Sequence, residues 1–314
     1  METLRDPGLR CKDLLVIFGG PGKNDVAKLR QDAKWILENT IKPLFAPESA
    51  DGTPLWMEEG AIGVLESIAG MQNLDSLHNL LVPPIMTLVK YHVPSYKTKG
   101  VRIAHNLIQN SSPLSLRISG LGEMLIAELT HCTSYLEEHE ILEVSLKGLI
   151  DLTKVHVKDT VEYFLMLQNM LRNLISKYTF AMTGNVPALV ILSNYVLQIT
   201  RKLSIYNYKY VRIVAALCAD LMGYSNSELT RVCIDIITLL ADECEIRFHF
   251  FKQSVATQLP IILCAIASSW TNDQREDLKS LVQHLKKLKN KQFNVDLEVL
   301  MTLNPDLYRP LVSC

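Results

Sequence analysis

The chain has 314 residues, 48% of them hydrophobic and 21% charged, enough for a large core and against wholesale disorder. Its formal net charge of -1 removes the basic excess on which nucleic-acid binding rests. Aromatics make up only 7% while Leu, Ile, Val and Ala dominate, a mix that suits helix-on-helix packing better than a sheet-rich enzyme.

Residues 1–23 read as a poorly ordered N-terminal tail, and only 14–18 have strand character. That run, Leu14 to Phe18 followed by Gly19-Gly20-Pro21-Gly22-Lys23, imitates a nucleotide-binding strand and loop. A phosphate cradle needs a longer glycine loop, and then Ser or Thr after the lysine to reach magnesium. Here Asn24 follows Lys23, and no further strands exist to build the sheet. A glycine turn ahead of the first helix is the better reading.

From Asp25 onward one amphipathic helix follows another. The first spans 25–44, with Leu29, Trp35 and Leu37 among its apolar members, and 46–54 is a Pro/Gly loop. The next helix, 55–69, carries Ile62, Leu65 and Ile68. Between Leu80 and Leu107, Pro83-Pro84 and Pro94 break two apolar helical segments, and Val101-Arg102-Ile103-Ala104 opens the helix through Asn110. Pro113 starts a helix to Cys132, and Leu142, Leu146 and Leu149 stripe another over 138–155. Asp159 with Glu162 resembles a capping box, and the helix it introduces buries Phe164, Leu167, Leu171, Leu174 and Tyr178. Leu189, Leu192, Val196, Ile199 and Leu203 stripe the next helix. The pair 211–222 and 229–244 and two further helices, 253–270 and 273–289, complete the series. Residues 24–292 thus read as one helical-repeat domain, with 293–314 a C-terminal tail or short helix.

The layout of a proline-marked helix, a short turn and a Val-Arg helix is that of a HEAT-type pair. Val101-Arg102-Ile103 has a near copy in Val211-Arg212-Ile213, each preceded by Tyr and Lys (Tyr96, Lys97; Tyr208, Lys209). The fold class expected is all-α, a HEAT/armadillo-like solenoid of stacked antiparallel helix pairs. Gly100 is expected where two helices approach closely, and Pro83-Pro84 to bend or restart a helix. Tyr96, Lys97 and Arg102 are the candidate partner-binding positions. In a helix pair such a cation either bonds a neighbouring carbonyl or reaches into a groove, and the first is the simpler reading.

Chemistry-bearing patterns are missing. The seven cysteines form no C-x-x-C pair and lie mostly on apolar helix faces, as reduced core thiols do. None of the eight histidines makes H-E-x-x-H or pairs with cysteine at zinc spacing; His131-Cys132 with His139 comes nearest. Glu58-Glu59 and Glu137-Glu138 are adjacent on helices and diverge, as solvated residues do. The basic run Lys286 to Lys291 suits the negative end of a helix dipole. No catalytic residue, metal or cofactor is expected. The start, with Glu2, Arg5 and Asp6, is unlike a secretory signal, and the longest apolar run, Leu259 to Trp270, is too short to span a membrane.

Certain residues carry a family resemblance. Leu80-Leu81-Val82-Pro83-Pro84, then Tyr96-Lys97-x-x-Gly100, then Ser119-Gly120-Leu121-Gly122, with Trp56 and Gly60 upstream, resemble the central block of the Tti-two family. That family is the smallest subunit of the TTT co-chaperone complex. The likeness is specific over residues 55–150 and afterwards lies only in helical pattern. Two departures stand out: Lys90-Tyr91-His92 replaces the paired aspartates usual after the Pro-Pro helix, and members are generally longer at the N-terminus.

The resemblance implies a non-enzymatic helical scaffold joining the Tti-one and Tel-two subunits. With them it assists Hsp-ninety in maturing the phosphatidylinositol-3-kinase-related kinases of DNA-damage and growth (TOR) signalling. In fungi it also implies the ASTRA assembly with the Rvb ATPases. Cytoplasm and nucleus are the expected compartments. Composition and periodicity by themselves support an all-α interaction protein. They leave open an unrelated solenoid adaptor for transport or the cytoskeleton, and an enzyme with an unrecognised site.

Overall fold

The computed structural model describes residues 10–11, 13–14, 32–45, 54–57, 60–156, 160–181, 184–224, 226–243, 272–287 and 291–312. Every regular element among them is helical. The chain divides into two compact units, Met1–Lys158 and Asp159–Cys314.

In the first unit, α1 covers 32–44 and widens to a π-helix over Leu37–Ile41. There the Lys42 N–H reaches back to the Leu37 carbonyl, just before Pro43, which has no N–H to give. Then come α2 (Ala61–Ala69), α3 (His78–Lys90), α4 (Pro94–Asn110), α5 (Pro113–Ile118), α6 (Leu121–Cys132) and α7 (His139–His156). Short turns make α3 and α4 an antiparallel pair, and α6 and α7 another. The second helices, α4 and α7, lie against each other, and α2 against α4. Pairs whose second helices line up in sequence are the HEAT-like arrangement.

The second unit repeats the scheme. It contains α8 (Thr160–Ala181), α9 (Val186–Leu203), α10 (Val211–Met222), α11 (Ser227–Glu243), α12 (Asn272–Lys287), α13 (Lys291–Leu303) and α14 (Pro305–Val312). Here α8 pairs with α9 and α10 with α11, while α9 lies against α11 and α11 against α12. The stripe Leu189, Leu192, Val196, Ile199 and Leu203 is wholly buried. Each such leucine or isoleucine contributes roughly 1.5–3 kcal/mol. Caps fit their sequences: the Asn185 side chain accepts from the Ala188 N–H at 3.2 Å, and that of Asn226 from Leu229 at 2.9 Å.

Several boundaries differ from expectation. The helix expected over 55–69 is a 3-10 turn, Leu55–Met57, and then α2, separated at Gly60, whose φ of 115° no helix accepts. The helix expected from Pro113 to Cys132 is two helices, parted where Gly120 takes a left-handed φ of 69°. Pro83-Pro84 does not break α3, which runs through both prolines. The helical φ suits the pyrrolidine ring; what is lost is the pair of N–H groups due to the Asn79 and Leu80 carbonyls. Pro94, at the first position of α4, opens that helix, so Val101-Arg102 lies in its interior. Phe164 is half-buried and not in the core. At the C-terminus α13 and α14 are both helical, and the Lys286 Nζ of α12 donates to the Val312 carbonyl at 3.4 Å. The nucleotide-like loop after Leu14 and the helix expected over 253–270 lie outside the described residues; Leu14 itself is helical.

Candidate protein interface

The pair α3–α4 is assembled around Gly100. A Cβ placed there would stand 2.6 Å from the Val89 nitrogen and 2.7 Å from the Leu88 carbonyl carbon. Backbone lies against backbone, and nothing larger than hydrogen fits. One turn earlier on α4, Lys97 is only 2% exposed. Its Nζ donates to the Val89 carbonyl, near the C-terminal end of α3, and sits 4.8 Å from the centre of the Tyr135 ring. The charge thereby meets the negative end of the α3 dipole and an aromatic face.

Tyr96 belongs to an aromatic cluster. Its ring meets Trp56 edge-on at 5.2 Å and Tyr91 at 5.8 Å. Trp56, itself buried, stacks on Phe45 at 5.6 Å. The cluster ties the end of α1 and the 3-10 turn at Trp56 to the α3–α4 turn. Arg102 is exposed and forms an ion pair with Glu140 at the start of α7. Three candidate positions thus have three surroundings: Lys97 inside the fold, Tyr96 half-buried, Arg102 on the surface. Further along the α4–α7 seam, the His105 Nε2 lies 2.9 Å from Asp151, whose other oxygen accepts from Lys154 at 2.8 Å. Burial raises the Asp151 pKa, but the bonds from His105 and Lys154 together outweigh it and hold the carboxyl below its usual range.

The short helix α5 is anchored by His78. The Ser111 hydroxyl donates to the Leu107 carbonyl at 2.6 Å, so it accepts from the His78 Nε2 at 2.7 Å. The neutral ring then accepts at Nδ1 from the Ser115 hydroxyl, 3.2 Å away. Asp75 accepts from the Ser112 N–H at 2.9 Å. Burial pushes the His78 pKa down, against the pull of Asp75. This net fixes α5 on the start of α3 and leaves Leu114 and Ile118, 60% and 78% exposed, on the outer face of α5.

Beside them runs a groove of about 230 Å³, walled by His78, Asn79, Val82 and Pro83 on one side and by Ser119 to Leu121 with Met124 on the other. That is below the roughly 300–1,000 Å³ of small-ligand pockets. The Asn79 and Leu80 carbonyls that Pro83-Pro84 leave without helical donors belong to this stretch of α3. Sequence reading missed the groove. The signal was there in Pro83-Pro84 and Ser119-Gly120-Leu121, but nothing local says that two motifs 36 residues apart share a wall. Among the described residues no three His, Cys, Asp or Glu side chains gather as metal ligands, and no helix is long and apolar enough to cross a membrane.

Residues 56–226, more than half of the chain, match the family model described as the Tti2 family. The chain belongs to the Tti2 family. No curated protein is significantly similar. Among solved structures, the crystal structure of an engineered protein is similar at 12% identity and a TM-score of 0.39, over 96% of this chain and 82% of that one. In this Tti2-family chain the match takes in α2 to α10. Of its residues, Gly100 lies inside the α3–α4 pair and Trp56 meets Tyr96 at the start of α4, while Pro83 and Gly120 line the groove.

Proposed function

We propose that this Tti2-family chain is the non-enzymatic scaffold subunit of the TTT co-chaperone complex, joining the Tti-one and Tel-two subunits in cytoplasm and nucleus. With them it assists Hsp-ninety in maturing phosphatidylinositol-3-kinase-related kinases. The observation that carries the reading is the family match across α2 to α10, on a chain built of HEAT-like pairs. The surface agrees: large apolar residues stand exposed on α5. Burying a few such anchors, at roughly 1.5–3 kcal/mol each, suffices for a stable complex.

Co-expression of the full chain with tagged Tti-one and Tel-two tests this. Recovery of a ternary complex on size exclusion, and lowered kinase levels when the chain is depleted, are the expected results. Intact kinases after depletion, with no complex recovered, would end the proposal in favour of an unrelated solenoid adaptor.

A further inference from the structure

The sequence places a Tyr-Lys…Val-Arg pattern in both units, and the structure treats the two copies in opposite ways. In the first unit Lys97 is buried on the Val89 carbonyl and Arg102 is paired with Glu140. In the second, Lys209 and Arg212 are exposed, and neither has an ion pair among the described residues. The hydrophobic member is inverted as well: Ile103 is fully buried, whereas Ile213 is 52% exposed. A pattern spent on internal seams in one unit is turned outward in the other.

The outward copy sits on a fixed turn. Ser204–Lys209 is a 3-10 helix following α9. The buried Asn207 side chain donates to the Thr200 and Ser204 carbonyls at 2.7 and 2.8 Å, and the Ser204 hydroxyl donates to Glu243 of α11. At its end Tyr210 is buried, its hydroxyl accepting from Arg172 of α8 at 3.3 Å. The turn therefore presents Ile205 and Tyr206 with little conformational entropy left to lose. The Tyr206 ring lies 4.2 Å from that of Phe164. On the same face of α8, Val161 and Leu165 are 69% and 55% exposed.

On the α9–α10 side of this apolar floor the charge has one sign, whereas on α8 the exposed Glu162 lies between Val161 and Leu165. From Arg201 to Ile213 there are four cations, Arg201, Lys202, Lys209 and Arg212, and no carboxylate. Glu243, the nearest acid to the turn, is committed to Ser204. Tyrosine and arginine over aliphatic residues are the composition of interface hot spots. We propose that the Ser204–Lys209 turn, the start of α10 and the facing side of α8 form a docking platform for an acidic segment of a partner protein. That segment carries carboxylates for the four cations, interleaved with large apolar side chains for the Phe164–Tyr206 floor. A nucleic acid matches the cations but has nothing to set against Val161, Leu165 and Ile213, and the chain as a whole has no basic field.

The platform rests on the reading of the chain as a partner-binding subunit, but not on which partners it joins. Its test is a photo-crosslinking residue at Tyr206 in the full chain, co-expressed with Tti-one and Tel-two, with the crosslinked segment sequenced by mass spectrometry. The expected product is a segment with excess Asp and Glu around aliphatic or aromatic residues. Lys209→Glu with Arg212→Glu should cut the yield about 10-fold or more, and added salt should lower it, as for steered charge pairs. Both substituted side chains are exposed, so circular dichroism and melting should stay unchanged. A neutral or basic segment, RNA or lipid as the product, no product at all, or a yield indifferent to the charge reversal would overturn the platform. Loss of Tti-one and Tel-two from the same purification sinks the TTT reading instead, and leaves the crosslinked segment's composition to decide the platform.

Discussion

Gly100 is the position where chemistry leaves no choice. An added methyl would meet the Val89 nitrogen at 2.6 Å, and backbone cannot step aside as a side chain can. Gly100→Ala should lower stability by roughly 3 kcal/mol, the upper end of overpacking penalties, read as a lower midpoint in urea. Gly100→Leu should abolish folding and partner binding together; a stable Leu variant that has lost only its partners would place Gly100 in recognition and not in architecture. Lys97 and Arg102 separate in the same way. Lys97→Ala removes a buried stem and strands the Val89 carbonyl, so a loss of about 2 kcal/mol is expected. Arg102→Ala removes an exposed ion pair with Glu140 and should change stability by less than about 1 kcal/mol. Sequence could name Gly100 as a close approach because a glycine just ahead of Val101-Arg102 in a helix pair suits backbone contact. It could not decide between groove and carbonyl for Lys97, since that depends on where α3 ends in space.

Among elements, most of the helices were readable, because leucine and isoleucine at spacings of three and four leave little choice in α7, α9 and α11. Breaks were the harder part. Pro83-Pro84 looks like a stop, but α3 absorbs it by leaving two carbonyls without helical donors. Ser119-Gly120 looks innocuous within a helical pattern, yet the left-handed φ of Gly120 parts α5 from α6. The seam between α3 and α5 also sets a pH dependence. The folded pKa of His78 lies below its ordinary 6.5, so the unfolded chain binds the proton more readily. The His78 contribution is complete above pH 6.5 and is lost as pH falls through the depressed value. Asp75 is held low mainly by the Ser112 hydrogen bonds, and Asp151 by the His105 and Lys154 bonds that outweigh its burial. Their contributions disappear only below the ordinary carboxylate value of 3.8. Urea midpoints should therefore fall first in the mildly acidic range and again in strong acid. His78→Asn should remove the first fall; an unaltered profile in that variant would contradict the assignment.

At the scale of the molecule, each helix contacts chiefly its neighbours in the series, so damage should spread by adjacency. Gly100→Ala should raise amide hydrogen exchange in α3 and α4 first and in α7 next, while α11 and α12 in the other unit keep wild-type protection. Uniform loss of protection along the whole chain would instead mean a single cooperative block. The sequence announced a helical array through its repeating punctuation, but not the division at Lys158, since no change in composition marks it.

The buried cysteines give that division a built-in gauge. Cys132 is closed inside the first unit, where burial pushes its thiol up; Cys218 and Cys233 are closed inside the second, where their shared hydrogen bond and burial push Cys233 up. A thiol-selective label needs the exposed thiolate. Slow modification of Cys132 therefore clocks the opening of one unit, and that of Cys218 and Cys233 the other, in the unaltered protein. Peptide mapping after timed alkylation, with and without partners bound, would show which half an assembled complex clamps shut.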